Sequence, residues 1–274
     1  ADRRTCLAAL APHLPGELLG DALRAAADIG DEGERSKALA ALAPHLPADL
    51  LRACLQVAAT IGSDYSRRDA LAGLAPHLPA DLLADALPIA FTISSSTARC
   101  GALLAIALRL PPGRREEALS RAVQTAAGVE DCYRPDALAA LAPHISTEQS
   151  GEALRAAEAI RSEISRGKAL AALVPHLPVP LLAEAFQAAV AIGHASARSD
   201  ALPSFLARLA HFGRVDLALW YPRLVASLET GTRPSALAVV PGLIPIIAAL
   251  AGDDAPAELA EVADAILDVG RWWP

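Results

Sequence analysis

Methionine is absent from this chain of 274 residues, and lysine occurs only at Lys37 and Lys168. Nearly all positive charge is therefore arginine, and the formal net charge is −7. Polyanion-binding proteins ordinarily carry a basic stripe, so nucleic acid and anionic membrane surfaces are disfavoured as partners. Aromatic residues make up only 4% and β-branched residues are sparse, which removes the side chains that favour strands. No long hydrophobic run is present. The longest, Val239 to Ala251, is interrupted by Pro241 and Pro245 and falls short of the roughly 20 residues a spanning helix needs. No signal or transit peptide is recognisable. The four cysteines include no Cys-x-x-Cys pair, so neither a zinc site nor a redox motif is indicated, and a reduced, cytoplasmic setting is expected. Phosphate loops, nucleophile elbows and metalloprotease motifs are missing too. No catalytic residue, cofactor or metal ion is expected. Lacking any methionine, the chain reads as processed or as a piece of a longer protein.

What is present is alanine and leucine, both strong helix formers, in a repeating order. Ala-Pro-His-Leu-Pro starts at Ala11, Ala43 and Ala75, with variants at Ala142 and Val174. Its histidines are His13, His45, His77, His144 and His176. A second marker, Arg-x-x-Ala-Leu, starts at Arg35, Arg67, Arg99, Arg134, Arg166, Arg198 and Arg233, with a near copy at Arg3. These markers define eight units, spaced by 32 residues with two intervals of 35.

Each unit reads as two helices. The first begins near the marker arginine, places Leu39 and Leu42 on one face, and should end or kink at Pro44. Pro47 suits the first turn of the second helix, which continues through Leu50, Leu51, Leu55, Ala58 and Ile61. In the fifth unit Ser146-Thr-Glu-Gln149 takes the place of that proline and resembles a capping box. About 32 residues are too few for a core of their own, so the apolar stripes must be buried by stacking unit on unit. The expected fold is all-α, a solenoid of about eight antiparallel helix pairs. Residues 1–198 form six regular repeats, and 199–274 form two divergent ones. Trp220-Tyr221, Val240 to Pro245 and Trp272-Trp273 then close the C-terminal end of one continuous stack.

The repeated polar residues invite chemistry, but their register favours structure. Equivalent positions in stacked helices lie about 10 Å apart, too far to share one zinc ion. Each histidine is expected at the end of a first helix, where it can donate to unpaired carbonyls. The arginines are expected to brace the repeats, either across the loop to the acids three residues earlier (Glu32, Asp64, Asp131, Glu163) or onto the carbonyl end of a neighbouring helix. A row of anion-binding guanidinium groups is the alternative. Cys6 and Cys54 fall in slots that are alanine elsewhere and are expected to be buried. Cys100 and Cys132 fall at variable positions near loops. One outward slot of the second helix carries Arg24, Gln56, Gln124, Arg155 and Gln187, broken at Pro88. These long hydrogen-bonding side chains are the candidate partner-binding residues, on a face expected to be concave.

The chain resembles bacterial α-solenoid arrays of the HEAT, armadillo and TPR class, and the proline near the end of the first helix, as at Pro44 and Pro76, resembles that of HEAT repeats. Ala-Leu-Ala-Ala-Leu-Ala-Pro-His-Leu-Pro, Ala38 to Pro47, resembles the repeats that end some STAND or NACHT-type signalling NTPases. That resemblance implies a sensor or protein-interaction array with an NTPase core in upstream domains of the parent chain. The expected function is a non-catalytic module that binds a protein partner or sensed ligand. The alternatives are a nucleic-acid-binding helical repeat and a solenoid enzyme with an unrecognised site.

Overall fold

The computed structural model describes residues 3–212, Trp220 and 243–251. Tyr221, Arg233, residues 240–242 and Trp272-Trp273 lie outside the described residues, and with them most of the expected C-terminal cap. The described residues are helical and contain no strand. The chain divides into two compact units, Ala1–Tyr133 with His144–Gln149, and Arg134–Pro143 with Ser150–Pro274. The first unit holds α1 (Arg3–Leu10), α2 (Gly16–Ala27), α3 (Glu32–Leu42), α4 (Ala48–Ala59), α5 (Asp64–Leu74), α6 (Ala80–Phe91), α7 (Ser96–Ala107) and α8 (Pro112–Ala127). The second holds α9 (Arg134–Leu141), most of α10 (Thr147–Glu158), α11 (Glu163–Leu173), α12 (Val179–Val190) and α13 (Ala195–Leu209). Odd-numbered helices are the first of each expected pair and even-numbered helices the second.

Local chemistry explains the boundaries. Asp31 caps α3 by accepting from the Glu34 N–H at 2.8 Å, and Ser63, Ser95 and Ser162 cap α5, α7 and α11 in the same way. First helices stop where the sequence places proline: α3 ends at Leu42 and Pro44 lies in a short 3-10 turn, Ala43–His45. Pro47 sits one residue outside α4, extended at φ −67° and ψ 163°, and its carbonyl accepts the first helical bond from Leu51. The capping box is present. Ser146 N–H donates to Gln149 Oε1 at 2.9 Å, and Gln149 N–H donates back to Ser146 Oγ at 3.4 Å. The Gln149 amide also donates to the Glu116 carbonyl at 2.8 Å.

Packing follows the register. Leu39, Leu71, Leu103, Leu138 and Leu170 occupy one repeat slot and all have zero exposure. Cys54, Ala86, Ala122, Ala153 and Ala185 share another fully buried slot. In the first unit α1 packs on α3, α3 on α5 and α5 on α7, while α2 packs on α4 and α4 on α6. In the second unit α9 packs on α11 and α11 on α13. First helices touch along more of their length than second helices do, because small residues line their contacts. A Cβ added at Gly73 would lie only 2.4 Å from the Ala40 Cβ on α3. The second helices of the first unit are correspondingly splayed.

In the second unit Phe186 on α12 makes edge-to-face contacts with Phe205 at 5.4 Å and with Trp220 at 5.6 Å. Trp220 is buried, as are Leu243, Ile246 and Ile247.

Candidate functional site

The marker arginines are joints. Arg35 Nε donates to the Ile29 carbonyl at 2.8 Å and Arg67 Nε to the Ile61 carbonyl at 2.7 Å. Arg166 and Arg198 reach Ile160 and Ile192 at 3.2 Å in the second unit. In each case the acceptor lies just past the end of the preceding second helix, so the guanidinium sits at the negative end of that helix's dipole. Placing arginine near a helix N-terminus is thereby offset. Arg67 also spans forward, donating to the Thr92 hydroxyl at 3.0 Å and carbonyl at 3.4 Å at the end of α6. Arg134 reaches the Ala156 carbonyl at 3.5 Å.

The acids form a second ladder, with partners the sequence did not suggest. Glu32 accepts from the N–H groups of Gly62 and Ser63, at 2.8 and 2.6 Å, in the loop of the next repeat. Asp64 does the same with Ser94 and Ser95, and Glu163 with Gly193 and His194. The expected arginine–acid bridge exists at Arg166–Glu163, at 3.6 Å. Asp131 lies in the turn that precedes α9, which starts at Arg134. The paired backbone bonds, foremost, hold the carboxyls of Glu32 and Glu163 below their ordinary value of 4.5. Such a depressed group stabilises the fold above its unfolded-state pKa and stops doing so as pH falls through its folded-state pKa. Wild-type chain should therefore lose stability as pH falls below 4.5. A Glu32→Gln, Glu163→Gln variant should lose less over the same window, as urea melts at pH 7 and in acid would show.

The five histidines correct the sequence reading. His13, His45, His77, His144 and His176 are all exposed, and none of their rings makes a hydrogen bond among the described residues. His13, His45 and His176 end 3-10 turns and His77 and His144 end hydrogen-bonded turns, in each case past the end of the first helix and in solvent. No metal-binding cluster occurs among the described residues, and none of their helices is long and apolar enough to cross a membrane.

One cysteine differs from expectation, and another is placed by the structure alone. Cys6 is exposed, because no described helix covers that side of α1. Cys100 is buried in α7, with its thiol 3.8 Å from the Ala122 carbonyl. Burial pushes the thiols of Cys54 and Cys100 up to about 12 from the ordinary 9.0. Only thiolates attack disulfide reagents. Titration of native protein at pH 8 with a chromogenic disulfide should give two fast equivalents, from Cys6 and Cys132, and the other two only on unfolding.

The candidate row is accessible throughout. Arg24, Gln56 and Gln124 are exposed on α2, α4 and α8 of the first unit, and Arg155 and Gln187 are exposed on α10 and α12 of the second. Pro88 breaks the row inside α6. Arg24 pairs with Asp21, and Arg52 beside the row pairs with Asp81 and Asp85. Splaying opens cavities next to it. A groove of about 520 Å³ between α6 and α8 is lined by Leu87, Phe91, Arg114, Glu117 and Arg121, among others. A hollow of about 310 Å³ holds Gln124 with Ser96, Arg99 and Arg121. In the second unit Gln187 shares a cavity of about 580 Å³ with Glu158, Arg166 and Glu184. Burial, then the Glu184 charge, raises the Glu158 carboxyl above its ordinary value. Sequence reasoning missed Phe91, Arg114 and Arg121. Their signal was available as departures from the repeat.

Set against known proteins, the chain matches no family model, no curated sequence and no solved structure.

Proposed function

We propose that the chain is a non-catalytic, partner-binding stretch of α-solenoid, its repeats continuing as one stack of helix pairs closed by the two divergent units. In this reading it serves as the sensing or docking array of a larger bacterial signalling protein, as the Ala38–Pro47 resemblance to STAND and NACHT-type repeats implies. The partner is a protein that lies across the second helices.

One observation carries the proposal. Arg24, Gln56, Gln124, Arg155 and Gln187 keep long, hydrogen-bonding side chains exposed in one repeat slot, while the repeated arginines and acids are consumed as joints. Interfaces set polar groups beside apolar hollows, and the cavities next to Gln124 and Gln187 supply the hollows. The test compares the immobilised chain with a variant in which all five are alanine, each presented to a bacterial lysate. The variant should melt at the same temperature and lose a protein that the wild type retains. Identical sets on both, or no retained protein on either, would contradict the proposal.

A further inference from the structure

The end of the third repeat and the fourth repeat depart from the others at exposed slots, and the departures meet in one place. Phe91 ends α6, where α2, α4 and α8 end in Ala27, Ala59 and Ala127 and α10 and α12 in Glu158 and Val190; none of these is aromatic. Its side chain is 44% exposed. Arg121 stands in a slot that is Asp21, Asp85, Glu152 and Glu184 in four other units and Ala53 in a fifth. Ser96 opens α7 where Glu32, Asp64 and Glu163 elsewhere supply the carboxylate of the acid ladder. Buried slots of the same repeat hold to the pattern, with Leu103 and Ala122 fully buried like their counterparts. General drift would not spare the core and change one exposed hollow.

The departures leave charge uncompensated. Arg99 is a marker arginine without the usual carbonyl bond: it donates to Ser96 Oγ at 3.3 Å, and its Nε is buried with no partner. The side chains of Arg114 and Arg121 make no hydrogen bond or ion pair among the described residues. Arg99, Arg121 and Phe91 line the same hollow of about 310 Å³. Phe91 and Arg121 also line the 520 Å³ groove, so the two spaces adjoin. One acid, Glu117, opposes three arginines there.

The geometry points to a binding site for an acidic peptide, whose carboxylate pairs with Arg99 and Arg121 and whose neighbouring bulky apolar side chain lies on Phe91 and Leu87. Guanidinium groups bind carboxylates through paired, charge-assisted hydrogen bonds, and a ligand carboxylate would supply the negative charge that Ser96 and Arg121 take out of the repeat pattern. Apolar lining from α6 demands more than a bare anion. Three arginines on a chain of net charge −7 are too few to draw in a nucleic-acid backbone. This inference rests on the partner-binding reading and assigns it a ligand chemistry.

Isothermal titration of the full chain with acetyl-Glu-Leu-Glu-Phe-Glu-Leu-amide tests it. Binding should weaken by about tenfold or more when glutamine replaces glutamate in the peptide, and likewise when serine replaces leucine and phenylalanine. Arg121→Asp and Phe91→Ala should each weaken it by about tenfold or more. Both substitutions restore what other repeats carry in the same slot, so the melting temperature should hold. Absence of binding, equal binding of the glutamine peptide, equal binding of the serine peptide, or unchanged binding by the variants would overturn the proposal. Tighter binding of a single-stranded oligonucleotide than of the peptide would also overturn it. If the peptide fails while the lysate experiment still yields a partner lost with the row variant, this site alone is wrong. If both fail, so does the partner-binding reading.

Discussion

Gly167→Ala should destabilise the protein by about 2–3 kcal/mol, although helix propensity alone favours alanine by about 1 kcal/mol. Gly167 lies inside α11 and is buried against α13. A Cβ there would meet the Ala197 carbonyl oxygen at 2.4 Å and its carbon at 3.1 Å. Both atoms are backbone, so relief requires α13 to move and the fully buried Leu170 and Ala197 to repack. The matched control is Gly20→Ala in α2, where nothing lies within 4 Å of the added carbon. That variant should gain about 0.5–1 kcal/mol. Urea melts of the two variants read the opposite signs. Equal gains would mean that the first helices are not held as closely as described.

Arg67→Ala should cost about 2–3 kcal/mol, because it strands acceptors on two helices at once. Its guanidinium bonds the Ile61 carbonyl past the end of α4 and the Thr92 carbonyl and hydroxyl at the end of α6. Arg67→Lys should recover less than half of the loss, since a single ammonium cannot span both partners. Arg24→Ala changes an exposed arginine paired only with Asp21, and should stay within about 0.5 kcal/mol of wild type. If Arg67→Ala behaved like Arg24→Ala, the arginine series would be surface decoration and not a set of joints.

Periodic apolar slots were legible in the sequence because burial restricts them to few residue types. Leu39 and its equivalents are one example, and the Cys54 slot is another. The capping box at Ser146 and Gln149 was legible because both partners lie within one turn. The acid ladder was not, since Glu32 finds its donors 30 and 31 residues away, in a loop with no charge to mark it. The burial of Cys100 was not legible for a related reason. Its slot, next after the marker arginine, holds Ser36, Arg68, Cys100, Pro135 and Gly167. Such variety suggests a surface, yet Ser36, Cys100, Pro135 and Gly167 are buried between first helices. The local spacing of the helices, not chemistry, selects the residue there. The histidines misled in the opposite direction: their strict repetition suggested a bonding role, while their rings face solvent.

Joints that repeat should fail locally, and amide hydrogen exchange in a Glu32→Gln variant measures this most directly. Glu32 holds only the Gly62 and Ser63 N–H groups, whereas Glu163 holds those of Gly193 and His194. The N–H groups of Gly62 and Ser63 should exchange about tenfold faster or more, with Gly193 and His194 unchanged. Unchanged exchange at Gly62 and Ser63, or equal acceleration at all four sites, would contradict acid joints that each hold one neighbouring loop.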